Sequence, residues 1–341
     1  MTGIPMREPA QLVITASPHL KGRDSTPTIM WNVVASLLPI VAAAAWFFGP
    51  SALLVVGASV AGAVVTERWL GNRGRIGDGS ATITGILLGL TLPAGMPLWM
   101  AALGAAFAIG FGKLLFGGLG YNIFNPALLG RAFLQAAFPV AITTWPAQPA
   151  SWWALRGDNF ALPFMQASVP DAVTAATPLG LMKFEHEGTG LADLVLGTTG
   201  GSLGETAALL ILLCGAYLAL RGYLNWRIPA SILATVALFS GILHQMAPAQ
   251  YASAPFMIFS GGLMLGAVFM ATDMVTAPVT NGGRWLFGVG IGLVVVIIRT
   301  WGGLPEGVMY AILLMNALVP FINRVTQPRV FGTRTRKEVG A

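Results

Sequence analysis

Long apolar runs, separated by short polar breaks, fill this chain almost from end to end. Ten apolar segments can be marked: Ile29–Phe48, Ser51–Leu70, Ala81–Pro93, Leu98–Leu115, Phe124–Val140, Glu205–Leu220, Ile228–His244, Phe256–Thr272, Trp285–Ile298 and Gly307–Ile322. A helix that crosses a bilayer needs about 20 residues, with about 17 a usual lower limit. The third segment falls short of that and is bounded by Gly79, Pro93 and Gly95. The eighth is also short and carries Gly261, Gly262 and Gly266. Short, broken segments in matching positions of two halves point to a functional site near the membrane centre.

The halves match in sequence as well. Thr84 opens T-G-I-L-L-G-L-T-L-P, and Leu265 opens L-G-A-V-F-M-A-T-D-M, so that Gly85 aligns with Gly266 and Thr91 with Thr272. The stretch from Gly117 aligns with the one from Gly302 at a nearly equal offset. Five segments per half is an odd number, so a duplication of this kind requires the second half to run inverted in the membrane. The pattern thus predicts an all-α integral membrane protein of about ten transmembrane helices, as two inverted five-helix repeats. The expected divisions are a cytoplasmic N-terminal segment over 1–28, a first repeat over 29–140, an outer loop over 141–203, a second repeat over 204–323 and a basic tail over 324–341.

Composition narrows the class. Of 341 residues, 55% are hydrophobic and 9% charged, against about 25% charged in a soluble domain. Too few charges remain to cover a water-facing surface. Of the nineteen lysines and arginines, fifteen fall on the side of the termini. Three, Arg156, Lys183 and Arg299, fall on the other, and Arg131 lies within a segment. That bias predicts cytoplasmic termini and an outer loop facing away from the cytoplasm. The net charge of +6 is therefore topological; no basic stripe with interleaved aromatics suggests nucleic acid. Met1 to Met30 is polar and is not expected to be a cleavable signal. Cys214, the single cysteine, sits in an apolar run and is expected to be a buried, inert thiol.

Candidate chemistry is sparse. The outer loop contains D-A-V-T-A-A-T-P-L-G, Asp171 to Gly180. Asp171 and Thr174 fit a turn or helix start, and Pro178 pushes Thr177 into an extended conformation. This displays a hydroxyl on a bent backbone, although threonine-rich turns are also common chain punctuation. Glu185-His186-Glu187 reads as a solvated loop. Arg131, inside segment five, must pair with a carboxylate or carbonyl or bind an anionic ligand. Asp273, at the end of segment eight, reads equally as a functional carboxylate and as a wet helix end. Gly85 with Gly89, and Gly288 with Gly292, have the spacing of helix-packing notches.

Four stretches together resemble the D-component (RnfD) family of Rnf-type ion-translocating ferredoxin:NAD oxidoreductases: Ser17-Pro18-His19, Asp78 to Pro93, Gly120 to Phe133, and Asp171 to Gly180. The related B component of the sodium-pumping NADH:quinone oxidoreductase usually carries a longer N-terminal extension and S-G-A-T at the threonine motif. Here the motif is Thr174-Ala175-Ala176-Thr177, which favours the Rnf-type reading. The resemblance implies that Thr177 carries FMN as an FMN phosphoryl threonine. A flavin transferase would attach it, recognising Asp171, Thr174, Ala176 and Thr177. It also implies a bacterial inner-membrane subunit that carries electrons in a sodium- or proton-moving complex. Its partners would be the other subunits and the lipid bilayer, and it would not be catalytic alone.

A non-covalent riboflavin is a further expectation, at the turn Gly120 to Pro126. Asn122 and Asn125 would meet the edge of its ring, and Tyr121 and Phe124 would offer flat faces. The alternative is that Asn125 merely caps the fifth helix and Asn122 completes the turn. Other classes consistent with the pattern are a component like the B component of the quinone-reducing pump, a solute channel or transporter with inverted repeats, and a purely structural membrane subunit.

Overall fold

A computed structural model of the chain describes residues 24–71, 77–145, 152–163, 165, 177–185, 187–197, 199–205, 208–248 and 250–328. Among these there is no strand. Helix α1, Thr26–Phe48, is capped by Ser25, whose side chain accepts from the Thr28 N–H. It ends at Gly49, which also starts α2, Pro50–Leu70. A one-residue connection between two long helices needs a left-handed backbone, and Gly49 has φ 72°. A Cβ there would also meet the Trp152 carbonyl oxygen at 2.5 Å, so two independent constraints demand glycine.

Helix α3 is only Ser80–Leu90. Helix α4, Leu98–Ile109, continues through a π-helical turn, Gly110–Leu114. The fifth apolar segment is not one helix: α5, Pro126–Ala137, gives way at Phe138 to α6, Pro139–Thr143. Pro139 ends α5 because a proline ring disfavours helical geometry in the residue before it. Short helices α7, Pro178–Gly180, and α8, Leu191–Leu196, lie in the loop interval. In the second half come α9, Ala208–Leu220, and α10, Arg227–Met246. The eighth segment is broken as its glycines suggest, into α11, Ala254–Phe259, and α12, Leu263–Leu265, which runs on as the π-turn Gly266–Met270. Helices α13, Asn281–Trp301, and α14, Val308–Thr326, follow.

Among the described residues five helices, α1, α2, α10, α13 and α14, are long and apolar enough to cross a membrane, and α3, α4 with its π-turn, and α9 are shorter apolar helices. Exposed tryptophans flank the long ones: Trp31 and Trp46 on α1, Trp69 on α2, Trp285 and Trp301 on α13. At 1.5 Å per residue the α1 and α13 pairs are about 22–24 Å apart, the separation of two aromatic belts. The chain is a multi-pass membrane protein. Its glycine notches pack as their spacing suggests: a Cβ on Gly85 would meet the Val60 Cα at 2.5 Å, and one on Gly292 the Thr235 Cβ at 2.7 Å.

The two breaks are the unusual feature. After α3, residues Thr91–Pro97 are non-helical, and their backbone groups must find partners elsewhere. The Leu90 carbonyl accepts from Gly204 N (2.6 Å), and Leu92 from Leu203 N (3.1 Å). The Thr91 carbonyl accepts from Arg131 Nη1 (2.6 Å). Asn159 Nδ2 donates to the Ala94 and Met96 carbonyls, and Leu98 N donates back to the Asn159 carbonyl. At the second break Arg299 donates to the Met257 (2.6 Å) and Ser260 (3.0 Å) carbonyls and pairs with Glu306 (3.1 Å). Glu306 in turn accepts from Gly262 N (3.1 Å).

Three cations counted from the sequence as topological charges are buried: Lys113, Arg156 and Arg299. Lys113, in the π-turn after α4, pairs with Glu67 of α2 and donates to the Ser80 hydroxyl at the head of α3. Removing one partner of such a pair strands the other charge, at a cost of about 3–5 kcal/mol, whereas replacing both by apolar groups is often neutral. Lys113→Met should therefore lower the thermal midpoint of the detergent-solubilised protein sharply. The double variant Lys113→Met with Glu67→Leu should recover most of the loss in the same melt.

Candidate functional site

Two cavities lie at opposite ends of α5. The larger, about 340 Å³, is lined by Thr177, Arg131, Gln135, Trp145, Phe184, Glu205, Glu306 and Tyr310, among others. Thr177 is extended, φ −71° and ψ 150°, as the following proline dictates, and its hydroxyl caps α7 by accepting from Gly180 N at 3.2 Å. The chain then turns through the π-helical stretch Leu181–Glu185. Lys183 anchors that stretch by donating to the Ile298 (3.1 Å) and Leu304 (2.8 Å) carbonyls, next to the turn between α13 and α14. Partial burial pulls the Lys183 ammonium below its ordinary pKa. Asp171, Thr174 and Ala176 lie outside the described residues, so of the threonine motif the structure locates Thr177 alone.

The wall of this cavity carries opposed charges. Arg131, half-buried, reaches it from α5 while holding the end of α3 through Thr91. Glu205 follows directly on the Leu203–Gly204 pair that closes the same break, and accepts from the Ser202 hydroxyl at 2.8 Å. Glu306 brings in the second break. Both helix breaks are thus tied to one cavity. Its volume lies within the ~300–1,000 Å³ usual for small-molecule sites. Aromatic side chains beside a hydroxyl and an arginine suit a planar, anionic ligand.

The smaller cavity, about 110 Å³, is lined by Ser80, Thr84, Lys113, Asn122, Asn125, Thr272 and Asp273 together with apolar residues. Asn125 is the N-cap of α5: its Oδ1 accepts from Ala127 N (3.0 Å) and Leu128 N (3.3 Å). Its Nδ2 donates to the Met270 carbonyl (3.0 Å), where the π-turn of the second half ends. Asn316, with its amide turned to satisfy its neighbours, accepts from Asn125 N at 3.1 Å. Asn125 therefore ties the two halves together. Asn122 donates to the Phe124 carbonyl (3.3 Å) and lies beside the Asp273 carboxylate. Asp273 itself accepts from Val275 N and the Thr276 hydroxyl, both at 3.2 Å. Tyr121 is 68% exposed, and neither it nor Phe124 lines the cavity.

Several residues here were not singled out from the sequence: Glu67, Glu205 and Glu306. Each is a carboxylate in or beside an apolar run, which is by itself a signal of function or pairing. Cys214 is buried and free, as its apolar setting implies. Because Asn125 caps a helix and bridges the halves, Asn125→Ala should destabilise the protein by more than the ~1 kcal/mol of an ordinary lost cap. Asn122→Ala should cost less, and paired thermal melts of the two variants check the order.

The family model for the NQR2, RnfD, RnfE family matches residues 13–332. The D component of the proton-translocating ferredoxin:NAD(+) oxidoreductase complex of Clostridium ljungdahlii is 41% identical over 94% of this chain and 96% of that protein. The D component of the Na(+)-translocating ferredoxin:NAD(+) oxidoreductase complex of Acetobacterium woodii is 40% identical over 97% and 98%. The D component of the ion-translocating oxidoreductase complex of Stutzerimonas stutzeri is 41% identical over 92% and 94%. The resemblance drawn from the four motifs thus extends over nearly the whole chain.

Proposed function

The chain belongs to the NQR2, RnfD, RnfE family, and from that premise we propose that it is the electron-carrying membrane subunit of an ion-translocating ferredoxin:NAD oxidoreductase, with FMN esterified to Thr177. The observation that carries this reading is the place of Thr177 on the wall of a cavity of about 340 Å³ that Trp145, Phe184, Tyr310 and Arg131 also line. When bound, a flavin supplies one- and two-electron redox chemistry. The residues present fit such a group. Aromatic side chains are at hand for its ring, and Arg131 is a positive charge for its phosphate or its reduced form. The ester on Thr177 keeps the ring at high effective concentration.

In this reading the halves are inverted five-helix repeats. Equivalent contacts support it: Thr91 and Thr272 each bond back to the carbonyl of the preceding turn, and Lys113 and Arg299, each in the last turn of its helix run, reach a broken helix. Both termini face the cytoplasm of an inner membrane, and the Thr177 cavity faces outward. The other subunits of the complex are the partners, and a flavin transferase performs the esterification. Relatives named for protons and for sodium are equally similar, so overall similarity does not select the ion.

Thr177→Ala should abolish the unstained fluorescent band of the protein in a denaturing gel while the complex still assembles, since the lost contact is one cap in a loop. A fluorescent Thr177→Ala band would refute the assignment. Gly188 is exposed, and a Cβ there meets nothing within 4 Å. In a Cys214→Ser background, Gly188→Cys should therefore react with a membrane-impermeant thiol reagent in intact spheroplasts. Labelling only after lysis would reverse the topology.

The smaller cavity does not favour the non-covalent riboflavin expected at Asn122 and Asn125. Its donor set suits a flavin edge, but the space of about 110 Å³ is too small for the three-ring system, and the Asn125 carbonyl oxygen is taken by Ala127 N and Leu128 N. No electron-transfer step is drawn through it. Asn122→Ala, which leaves the Asn125 cap intact, should leave the acid-extractable riboflavin content of the purified complex unchanged. Loss of riboflavin with the covalent FMN retained would restore a second flavin at this turn.

A further inference from the structure

Arg131 holds more charge than its structural task requires. Two of the three carbonyls at the end of α3, those of Leu90 and Leu92, are closed by backbone N–H groups of Gly204 and Leu203. The third, Thr91, is closed by one N–H of a guanidinium. An amide side chain would serve as well there, as Asn159 does for Ala94 and Met96. Among the described residues Arg131 makes no ion pair, and that single bond is the only one drawn from its five N–H donors. A positive charge within a membrane protein is costly without a counter-charge. The free edge of Arg131 lines the cavity beside Thr177, and Glu205 lines the same cavity without closing on the arginine.

We propose that Arg131, a fixed positive charge on the wall of this cavity, sets the reduction potential of the flavin on Thr177 against the opposing carboxyl groups of Glu205 and Glu306. This inference rests on the reading of Thr177 as the flavin acceptor. One electron, delivered by a one-electron donor of the complex, adds one negative charge to a bound flavin until a proton follows; no bond forms or breaks. A fixed cation on the cavity wall favours that added charge, and an ionised carboxylate opposes it; burial and the neighbouring Glu306 push the Glu205 carboxyl up to about 7, so its opposition is fully present only above neutral pH. Both act through a medium far less polarisable than water, where such interactions persist over a cavity's width. Each is held rigidly at the α3 break, Arg131 by the Thr91 carbonyl and Glu205 by Ser202 and the neighbouring Gly204. The field is therefore preorganised and does not relax with the electron.

The test is spectroelectrochemical titration of the covalent flavin in the purified complex, after the fluorescent band has confirmed equal loading. Arg131→Gln should lower the equilibrium constant for one-electron uptake by about tenfold or more, a fall of about 59 mV in midpoint potential. Arg131→Lys should retain most of the wild-type value. Glu205→Gln should shift the potential the opposite way in titrations at pH 8 and above, where the Glu205 carboxyl, raised to about 7, is ionised. A merely structural role for Arg131 would make the Gln and Lys variants alike and leave the opposite shift in Glu205→Gln unexplained. Covalent flavin present with potentials unchanged in Arg131→Gln and Glu205→Gln overturns this inference alone. Absence of covalent flavin from the wild-type protein overturns the reading of Thr177 and this inference with it.

Discussion

A buried backbone carbonyl without a hydrogen bond costs as much as several good apolar contacts supply, and the fold is organised around avoiding that cost at two broken helices. At the first break the partners come from Arg131 on α5, from Asn159 between α6 and α7 and from the Leu203–Gly204 pair before α9. At the second they come from Arg299 and Glu306. Membrane-depth backbone can leave helical geometry only where protein replaces water in this way. The breaks in turn bring polar side chains into an otherwise apolar bundle, and the larger cavity is where they meet.

The charges have a common logic. Lys113 and Arg299 each lie in the last turn of a helix run, and each reaches a broken helix and a carboxylate partner. Arg131 lines the cavity with Thr177 and, among the described residues, has no such carboxylate partner. Helix α5 carries both Asn125 and Arg131, about 9 Å apart along its axis. One rigid element therefore fixes the position of one cavity relative to the other.

Much of this was legible in the sequence, because membrane helices announce themselves by length and apolarity. The short third segment, the glycine-broken eighth and the paired glycine notches were all readable from spacing. Asn125 followed by Pro126 is a local cap signal, and it formed as one. What was not legible is long-range. Lys113 and Arg299 look like topology charges until their partners, far away in sequence, are known. Glu205 looks like the polar start of a helix until Gly204 is seen on the Leu90 carbonyl. Phe124–Val140 reads as one apolar run, yet Pro139 divides it, because hydropathy does not register a backbone restriction. Pro178 makes the extended geometry of Thr177 readable locally, but the aromatic wall around it is assembled from separate stretches of the chain.

The first break has a consequence for how the protein is made. Ribosomes deliver α3 and its non-helical continuation long before Asn159, Leu203 and Gly204 exist as polypeptide. Until those residues are synthesised and folded back, the carbonyls of Leu90, Leu92, Ala94 and Met96 have no lasting partners. Helices α1 to α5 therefore do not form an autonomous unit that waits, finished, for the rest. Their last hydrogen bonds are made retroactively, and maturation of the bundle is gated by the docking of chain that follows it.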